Sequence, residues 1–160
     1  MKTKAKTEVT AEPGRQELFV ARDFDASREM LFRAHIDPKL FARWFGCREM
    51  TTVIDYFEAS NGGRFRYLQS LPGHGEFASR GVFHEVAASE RIVRTLEFEG
   101  RPGHVLLETV RFEALPGNRT RVITQSVFQS VEDRDGMLQA GVEKGAGEAF
   151  ERLEEVLRNP

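Results

Sequence analysis

The chain has 160 residues, with 23 Lys and Arg against 25 Asp and Glu, so its formal net charge is −2. This length is typical of one domain that buries a core without a metal or disulfide staple. Cations are not in excess, so the charge gives no reason to expect a nucleic-acid partner. The single cysteine, Cys47, excludes an intrachain disulfide and fits a reducing compartment. No apolar run approaches the roughly 20 residues that span a bilayer, so we expect a cytoplasmic protein without membrane insertion.

The N-terminal residues 1–14 are polar and end in Pro13-Gly14, a pair that breaks regular structure. We therefore predict a flexible tail over 1–14 and a single domain over residues 15–160. The β-branched and aromatic residues of Gln16–Phe24 predict a first strand.

The next segment, DASREMLFRAHIDPKLFARWFG, changes to helical spacing of its apolar residues. Asp25 or Ser27 can cap a first short helix. Asp37, followed by a proline, can cap a second one, which Gly46 ends. The segment predicts two short helices in tandem.

After these helices, alternating apolar and polar residues predict six strands separated by turn signals. Their short connections imply antiparallel neighbours. The predicted strands are Met50–Phe57, Arg64–Gln69, Phe77–Val86, Arg91–Phe98, Val105–Leu115 and Arg121–Gln129.

The C-terminal segment Ser130–Asn159 has apolar residues at helical spacing and predicts one long helix, capped by Ser130 or Asp133. A bent sheet that buries one face needs a cover, and this is the only long amphipathic element. We therefore predict an α+β fold in which a curved seven-stranded antiparallel sheet wraps around the C-terminal helix.

Three glycines, Gly141, Gly145 and Gly147, fall within two turns of that helix. Together they lose about 2–3 kcal/mol of helix propensity relative to alanine. One explanation is close packing of the helix backbone on the sheet. The other is free volume around Gly141 and Gly145, which would form a cavity.

Aromatic residues are abundant, with 13 phenylalanines, and most must fill the core. Trp44 and Phe45 lie at the end of the second short helix, where they can be either core or the lining of a ligand entrance. Phe65 and Tyr67 share one face of the strand GGRFRY.

Polar residues interrupt three apolar strands. Glu108 shares a face with Leu106 and Val110, so it points inwards unless Leu107 does instead. A buried carboxylate needs a partner, and Arg94 is a conceivable one. Thr124 and Ser126 can place hydroxyls in a pocket or can be ordinary strand residues. The four histidines are dispersed, and no motif indicates a metal or cofactor.

The segments DPKLFARWFG, GGRFRY, RGVFHEV, SERIVRTLEFEG and SVFQSVEDRDGMLQAGVEKGAGEAFERLEEVL together resemble the SRPBCC (START-like, birch-allergen-like) superfamily. More closely, they resemble its bacterial branch named after the heat-shock-protein-90 ATPase activator. The resemblance covers about Glu17 to Leu157 and implies a helix-grip fold with a cavity between the sheet and the C-terminal helix. It also implies that Trp44, Phe45, Tyr67 and the 137–145 face border that cavity.

The resulting hypothesis is a protein that binds a small apolar or amphipathic molecule without a cofactor. The alternatives are a cyclase-like or hydrolase-like enzyme and a chaperone-associated module. We do not expect a chaperone partner, because the eukaryotic activator has an additional chaperone-binding domain where this chain has residues 1–14. Strand pairing in a homodimer stays open. The candidate cavity residues are Trp44, Phe45, Phe65, Tyr67, Arg94, Glu108, Met137, Gly141 and Gly145.

Overall fold

A computed structural model describes residues 5–160, and the first four residues of the predicted tail lie outside this range. The described chain forms one antiparallel sheet and four helices. The strands are β1 (Glu8–Thr10), β2 (Glu17–Phe24), β3 (Thr51–Phe57), β4 (Arg64–Leu71), β5 (Gly75–Ala87), β6 (Arg91–Phe98), β7 (Val105–Leu115) and β8 (Arg119–Val127). The helices are α1 (Arg28–Ile36), α2 (Pro38–Trp44), α3 (Val131–Gln139) and α4 (Val142–Arg158).

The sheet has the order β1-β2-β8-β7-β6-β5-β4-β3, with every neighbouring pair antiparallel. The strands β3 to β8 follow one another through hairpins, and β2 closes on β8. The α+β class and the antiparallel order are as predicted. Each of the seven predicted strands begins and ends within two residues of its observed bounds.

The eighth strand, β1, was not predicted and lies within the expected flexible tail. Glu8–Thr10 pairs with Phe19–Ala21 of β2. Without it, β2 would present a row of unpaired backbone groups, which attracts any nearby extended chain. This pairing uses the backbone, so the polar side chains of the segment give little sign of it.

The tandem helices form as predicted, and their caps are clear. The Ser27 side chain accepts a hydrogen bond from the Met30 amide at 3.3 Å, so Ser27 rather than Asp25 caps α1. The Asp37 side chain accepts one from the Lys39 amide at 2.9 Å at the start of α2. Gly46, with φ of +108°, turns the chain away from α2.

The C-terminal segment forms two helices instead of the single one predicted. Ser130 caps α3, accepting from the Asp133 amide at 3.1 Å. The helix ends at Gln139 with Ala140 as its C-cap, and Gly141 adopts φ of +90°, a left-handed conformation that redirects the chain before α4. The glycine that was predicted to sit inside a helix therefore separates two of them.

Helix α4 lies across the concave face of the sheet, but only its C-terminal half is packed into the core. Its buried residues are Ala149, Phe150, Leu153 and Val156. Phe150 packs against Trp44, with ring centroids 6.2 Å apart, and against Phe24 at 5.6 Å. The solid core therefore lies beside α1 and α2, and among residues 142–148 of α4 only the partly buried Ala146 packs against it. No described helix is long and apolar enough to cross a membrane.

Candidate functional site

A cavity of about 860 Å³ lies between the concave face of the sheet and the roof formed by α3 and the first half of α4. Sites for small molecules typically have volumes of roughly 300–1,000 Å³. The exposed residues of its lining include Arg48 and Glu49 in the loop after α2 and Met137 and Ala140 at the end of α3, so we place the mouth of the cavity there.

The glycines of the roof face open space. A Cβ atom added to Gly141, Gly145 or Gly147 would meet no atom within 4 Å. Close packing of the helix backbone on the sheet therefore does not explain them. Gly141 and Gly145 line the cavity, whereas Gly147 does not.

The side of the cavity next to α2 is aromatic. Trp44 and Phe45 both line it, and Phe41 stacks on Phe45 with ring centroids 4.5 Å apart. Trp44 is buried, and its indole nitrogen donates a hydrogen bond to the Ala34 carbonyl at 2.9 Å. Trp44 is therefore a core residue that also presents one side to the cavity, so its two predicted roles are not exclusive.

Phe65 and Tyr67 lie behind this aromatic wall and do not line the cavity, contrary to the expectation for both. Both are almost completely inaccessible, and Tyr67 packs against Phe45 with ring centroids 5.4 Å apart. Burial raises the pKa of Tyr67 to about 12. The two rings were assigned to the correct face of their strand, but α2 covers that face.

The floor of the cavity carries an ion pair. Arg94 Nε donates to Glu108 Oε1 at 2.8 Å, and both side chains line the cavity. Arg94 is 4% exposed. Leu107, the neighbour of Glu108 on the opposite face, is 43% exposed. The open question about this strand is thus decided: Glu108 points inwards and Arg94 is its partner.

Strand register places this pair in a polar row. Arg94 lies opposite Glu108 in β7, and Glu108 lies opposite Ser126 in β8. Ser126 and Thr124 also line the cavity. The hydroxyls of β8 are therefore part of the cavity surface rather than of the outer face.

Aromatic rings support the Arg94 guanidinium from the side of α2. Its Cζ atom lies 4.9 Å from the ring centroid of Phe65, 5.5 Å from that of Phe41 and 5.6 Å from that of Phe45. Such cation–π contacts hold a planar guanidinium in place. Burial by itself lowers the pKa of Arg94, but the charge of Glu108 offsets this and the pKa is raised. Arg94 is therefore a fixed positive charge at the floor.

His35 is a cavity residue that the sequence analysis did not single out. Its Nδ1 lies 2.7 Å from the Leu31 carbonyl, which can only accept, so Nδ1 carries the proton. Burial lowers its pKa to about 4, so the ring is neutral near pH 7. The four-residue spacing of Leu31 and His35 on α1 was the available signal, because it places both on the inner face.

The mouth is shaped by the 46–50 loop, which Arg152 of α4 holds in place. Arg152 donates to the carbonyls of Cys47 at 2.9 Å and Arg43 at 2.9 Å, with longer bonds to Gly46 and Met50. Nothing in the sequence indicated this role, because it depends on loop carbonyls that converge only in the folded chain. Across the mouth, α3 contributes Met137, which is 37% exposed.

Comparison with known protein families gives one match that covers most of the chain. The model for "Activator of Hsp90 ATPase homolog 1-like protein" matches residues 25–158. The chain belongs to this family. The matched range holds both tandem helices, the six strands β3 to β8 and the two C-terminal helices, so every element that lines the cavity except β2 falls inside it.

Solved structures share the fold of this member of the Hsp90-ATPase-activator-like family. A protein from Arthrobacter aurescens is 26% identical, with a TM-score of 0.86 over 96% of this chain and 92% of that chain. A protein from Mycobacterium smegmatis is 19% identical and has the same TM-score, over 96% of this chain and 98% of the other. A protein from Rhodobacter sphaeroides, 22% identical, has a TM-score of 0.82 over 94% and 98% of the two chains. A comparison with curated proteins finds no match.

The part of the chain that the structure describes contains no group of three or more His, Cys, Asp or Glu side chains placed to hold a metal ion. The polar groups in the cavity lining include the Arg94–Glu108 ion pair, the hydroxyls of β8, the neutral His35 and the charged side chains of Arg48, Glu49, Lys144 and Glu148.

Proposed function

We propose that this protein binds a small apolar or amphipathic molecule in the cavity beneath α3 and α4. One observation carries the proposal: Gly141 and Gly145 line an open volume of about 860 Å³ instead of packing on the sheet. Gly145 has a helical backbone, so a compact scaffold would gain helix stability from alanine at this position. Glycine there leaves the volume beneath the helix open.

The driving force for binding comes from the walls. Apolar side chains from β2, β6, β7 and α2 face the cavity, and a guest removes both their surface and its own from water. Burial of about 300 Å² of apolar ligand surface contributes roughly 7 kcal/mol before the loss of translational and rotational freedom is subtracted. This is enough for useful affinity only when the guest fills much of the volume.

The test uses a matched pair of variants in α4. Gly145→Trp directs a bulky ring into the cavity, and Gly147→Trp makes the same change at a position that does not line it. The neutral fluorophore N-phenyl-1-naphthylamine is titrated into each protein. We expect wild type and Gly147→Trp to bind alike, and the Kd of Gly145→Trp to rise about tenfold or more because the volume is filled.

Native mass spectrometry of the purified protein provides a second readout, because a tightly held guest adds a discrete mass that denaturation removes. Absence of fluorophore binding by the wild type, or equal binding by both tryptophan variants, would contradict the proposal.

A second candidate function is an enzyme of the cyclase or hydrolase kind. The observation in its favour is that Arg94, Glu108 and Ser126 converge at the floor. Glu108→Gln separates the two candidates when the molecules extracted from variant and wild type are compared by mass. A binding protein yields the same compound from both, whereas an enzyme yields product from the wild type and unreacted substrate from the variant.

A further inference from the structure

The ion pair at the cavity floor leaves hydrogen-bonding capacity unused. Arginine has five N–H donors and a carboxylate has two acceptor oxygens. Among the described residues, only Arg94 Nε and Glu108 Oε1 of this pair take part in a hydrogen bond. The terminal nitrogens of Arg94 and the second oxygen of Glu108 remain without a protein partner.

These unused atoms are open to the cavity. Within the described part of the chain, the only buried side-chain nitrogen or oxygen that lacks a partner is Nε of Arg22, which lies elsewhere. The terminal nitrogens of Arg94 and Oε2 of Glu108 are therefore not sealed inside protein, although Arg94 is 4% exposed. Since both residues line the cavity, a bound molecule can reach them.

The charge balance of the floor disfavours a charged head group. Arg94 and Glu108 neutralise each other, and the neighbouring His35 is neutral because burial lowers its pKa to about 4. An anion placed on Arg94 would also lie close to the Glu108 carboxylate, and a cation on Glu108 would lie close to the guanidinium. Either would be a third, unpaired charge in a site with apolar walls, which is unfavourable.

From these contacts we infer that the molecule held here is uncharged and presents a hydrogen-bond acceptor beside a donor. Its acceptor takes an N–H of Arg94, and its donor binds Oε2 of Glu108. A primary carboxamide or a hydroxyl next to a carbonyl has this pattern. The inference rests on the proposed function and specifies its ligand class.

Strand register also fixes the setting of the polar group. The Arg94–Glu108 row lies between the Leu96–Leu106 pair and the Ile92–Val110 pair on the same face of the sheet. Apolar side chains thus flank the polar row on both sides. The matching ligand therefore has one compact polar group and an apolar body, and this geometry distinguishes it from a polyhydroxylated molecule.

The experiment compares three probes with the same ten-carbon skeleton: decanamide, decanoate and decylamine, the last being protonated at pH 7. Isothermal titration calorimetry gives the Kd of each. For the wild type we expect decanamide to bind about tenfold more tightly than either charged probe. The amide forms one additional hydrogen bond to a charged group and places no unpaired charge at the floor of the cavity. In Glu108→Gln the Arg94 charge is unpaired, so decanoate becomes the tightest of the three.

The double variant Arg94→Met/Glu108→Leu is the matched control, because it removes the pair without stranding a buried charge. We expect it to lose the preference for decanamide, because neither the N–H groups of Arg94 nor Oε2 of Glu108 are left to bind the amide. It also provides a result if Glu108→Gln does not fold, which circular dichroism detects.

The outcomes separate the two proposals. If the wild type does not bind the fluorophore, the proposed function itself is wrong. If the fluorophore binds but the three probes have equal Kd values, or the double variant keeps the preference for decanamide, only the inference about the ligand class is overturned.

Discussion

His35 is a neutral imidazole enclosed by aromatic rings, with Trp44 at 4.8 Å and Phe112 at 5.1 Å between ring centroids. Burial lowers its pKa from the ordinary 6.5 to about 4, because a charged ring would lose its hydration. Between these two pH values the unfolded chain binds more protons at this residue than the folded protein does. The free energy of unfolding therefore falls as pH falls through this window.

The variant His35→Phe tests this linkage. Its phenyl ring keeps the aromatic packing but cannot take up a proton. Between pH 6.5 and pH 4 we expect the wild type to lose about 3 kcal/mol more of its unfolding free energy than the variant loses. Urea unfolding measures how the free energy of unfolding of each protein depends on pH. Subtracting one profile from the other removes the contribution of the carboxylates, which both proteins share. Parallel pH profiles would show that His35 is not buried as a neutral group.

Arg152 concentrates the anchoring of the 46–50 loop in one side chain. Arg152→Met removes the guanidinium nitrogens that lie 2.9 Å from the carbonyl oxygens of Cys47 and Arg43. Because these carbonyls lose their donors, we expect the free energy of unfolding to fall by about 2 kcal/mol. Arg158→Met on the same helix is the control, since Arg158 is exposed and forms an ion pair with Glu154 one turn away. That change should have little effect. Equal stability of the two variants would contradict the anchoring role.

At the scale of residues, strand alternation carried most of the information about the cavity. It made Arg94 a conceivable partner of Glu108, but it left open which face of their strands points inwards. The burial of Phe65 and Tyr67 behind α2 could not be predicted, because it depends on how α2 packs over their face of the strand. The role of Arg152 depends on three-dimensional convergence of carbonyls, for which a sequence has no local pattern.

The three glycines of the C-terminal segment have different backbone conformations, and this difference decides where its helices begin and end. Gly141 has φ of +90°, where a side chain is strained, whereas the Cβ positions of Gly145 and Gly147 are open and their backbones are helical. We expect Gly141→Ala to lower the free energy of unfolding by about 1–2 kcal/mol. Gly147→Ala should raise it by about 0.8–1.0 kcal/mol.

Urea denaturation measures the change in the free energy of unfolding, and its sign, for each alanine variant. Gly141→Asn is added as a third variant. Asparagine tolerates the left-handed conformation better than alanine does, so Gly141→Asn should lose less stability. A stabilising Gly141→Ala would mean that α3 and α4 join into the single helix that the sequence pattern predicts.

The elements that the sequence did not predict have specific causes. Strand β1 forms three residue pairs with β2, and only Val9 of this strand packs against the core, so the segment has no amphipathic pattern. The apolar spacing of the C-terminal segment fits one helix, but the positive φ of Gly141 divides it into two. The apolar pattern does not report a backbone angle. The long strands and α4 were predictable because a continuous period over eight or more residues identifies them.

For the molecule as a whole, solid core and open cavity occupy opposite ends of the same helix. The C-terminal half of α4 packs on α1, α2 and the sheet, while its N-terminal half and α3 cover the open volume. Helix α3 buries only Arg134, which donates to the Glu12 carbonyl at 2.7 Å and links the helix to the N-terminal segment. The roof over the cavity is thus less firmly packed than the rest of the fold, at the place where the proposed guest would enter.

A guest should therefore stabilise the whole protein but protect the roof most. At a free fluorophore concentration ten times its Kd, we expect the free energy of unfolding to rise by about 1.4 kcal/mol. Hydrogen exchange should slow most in α3, in residues 142–148 and in the 46–50 loop, because these segments gain contacts they lack in the free protein. Strand β1 lies at the sheet edge beside β2 and outside the cavity lining, so its exchange is the internal reference. Uniform slowing that includes β1 would mean that the guest acts only through global unfolding, whereas slowing confined to β1 would place it outside the cavity.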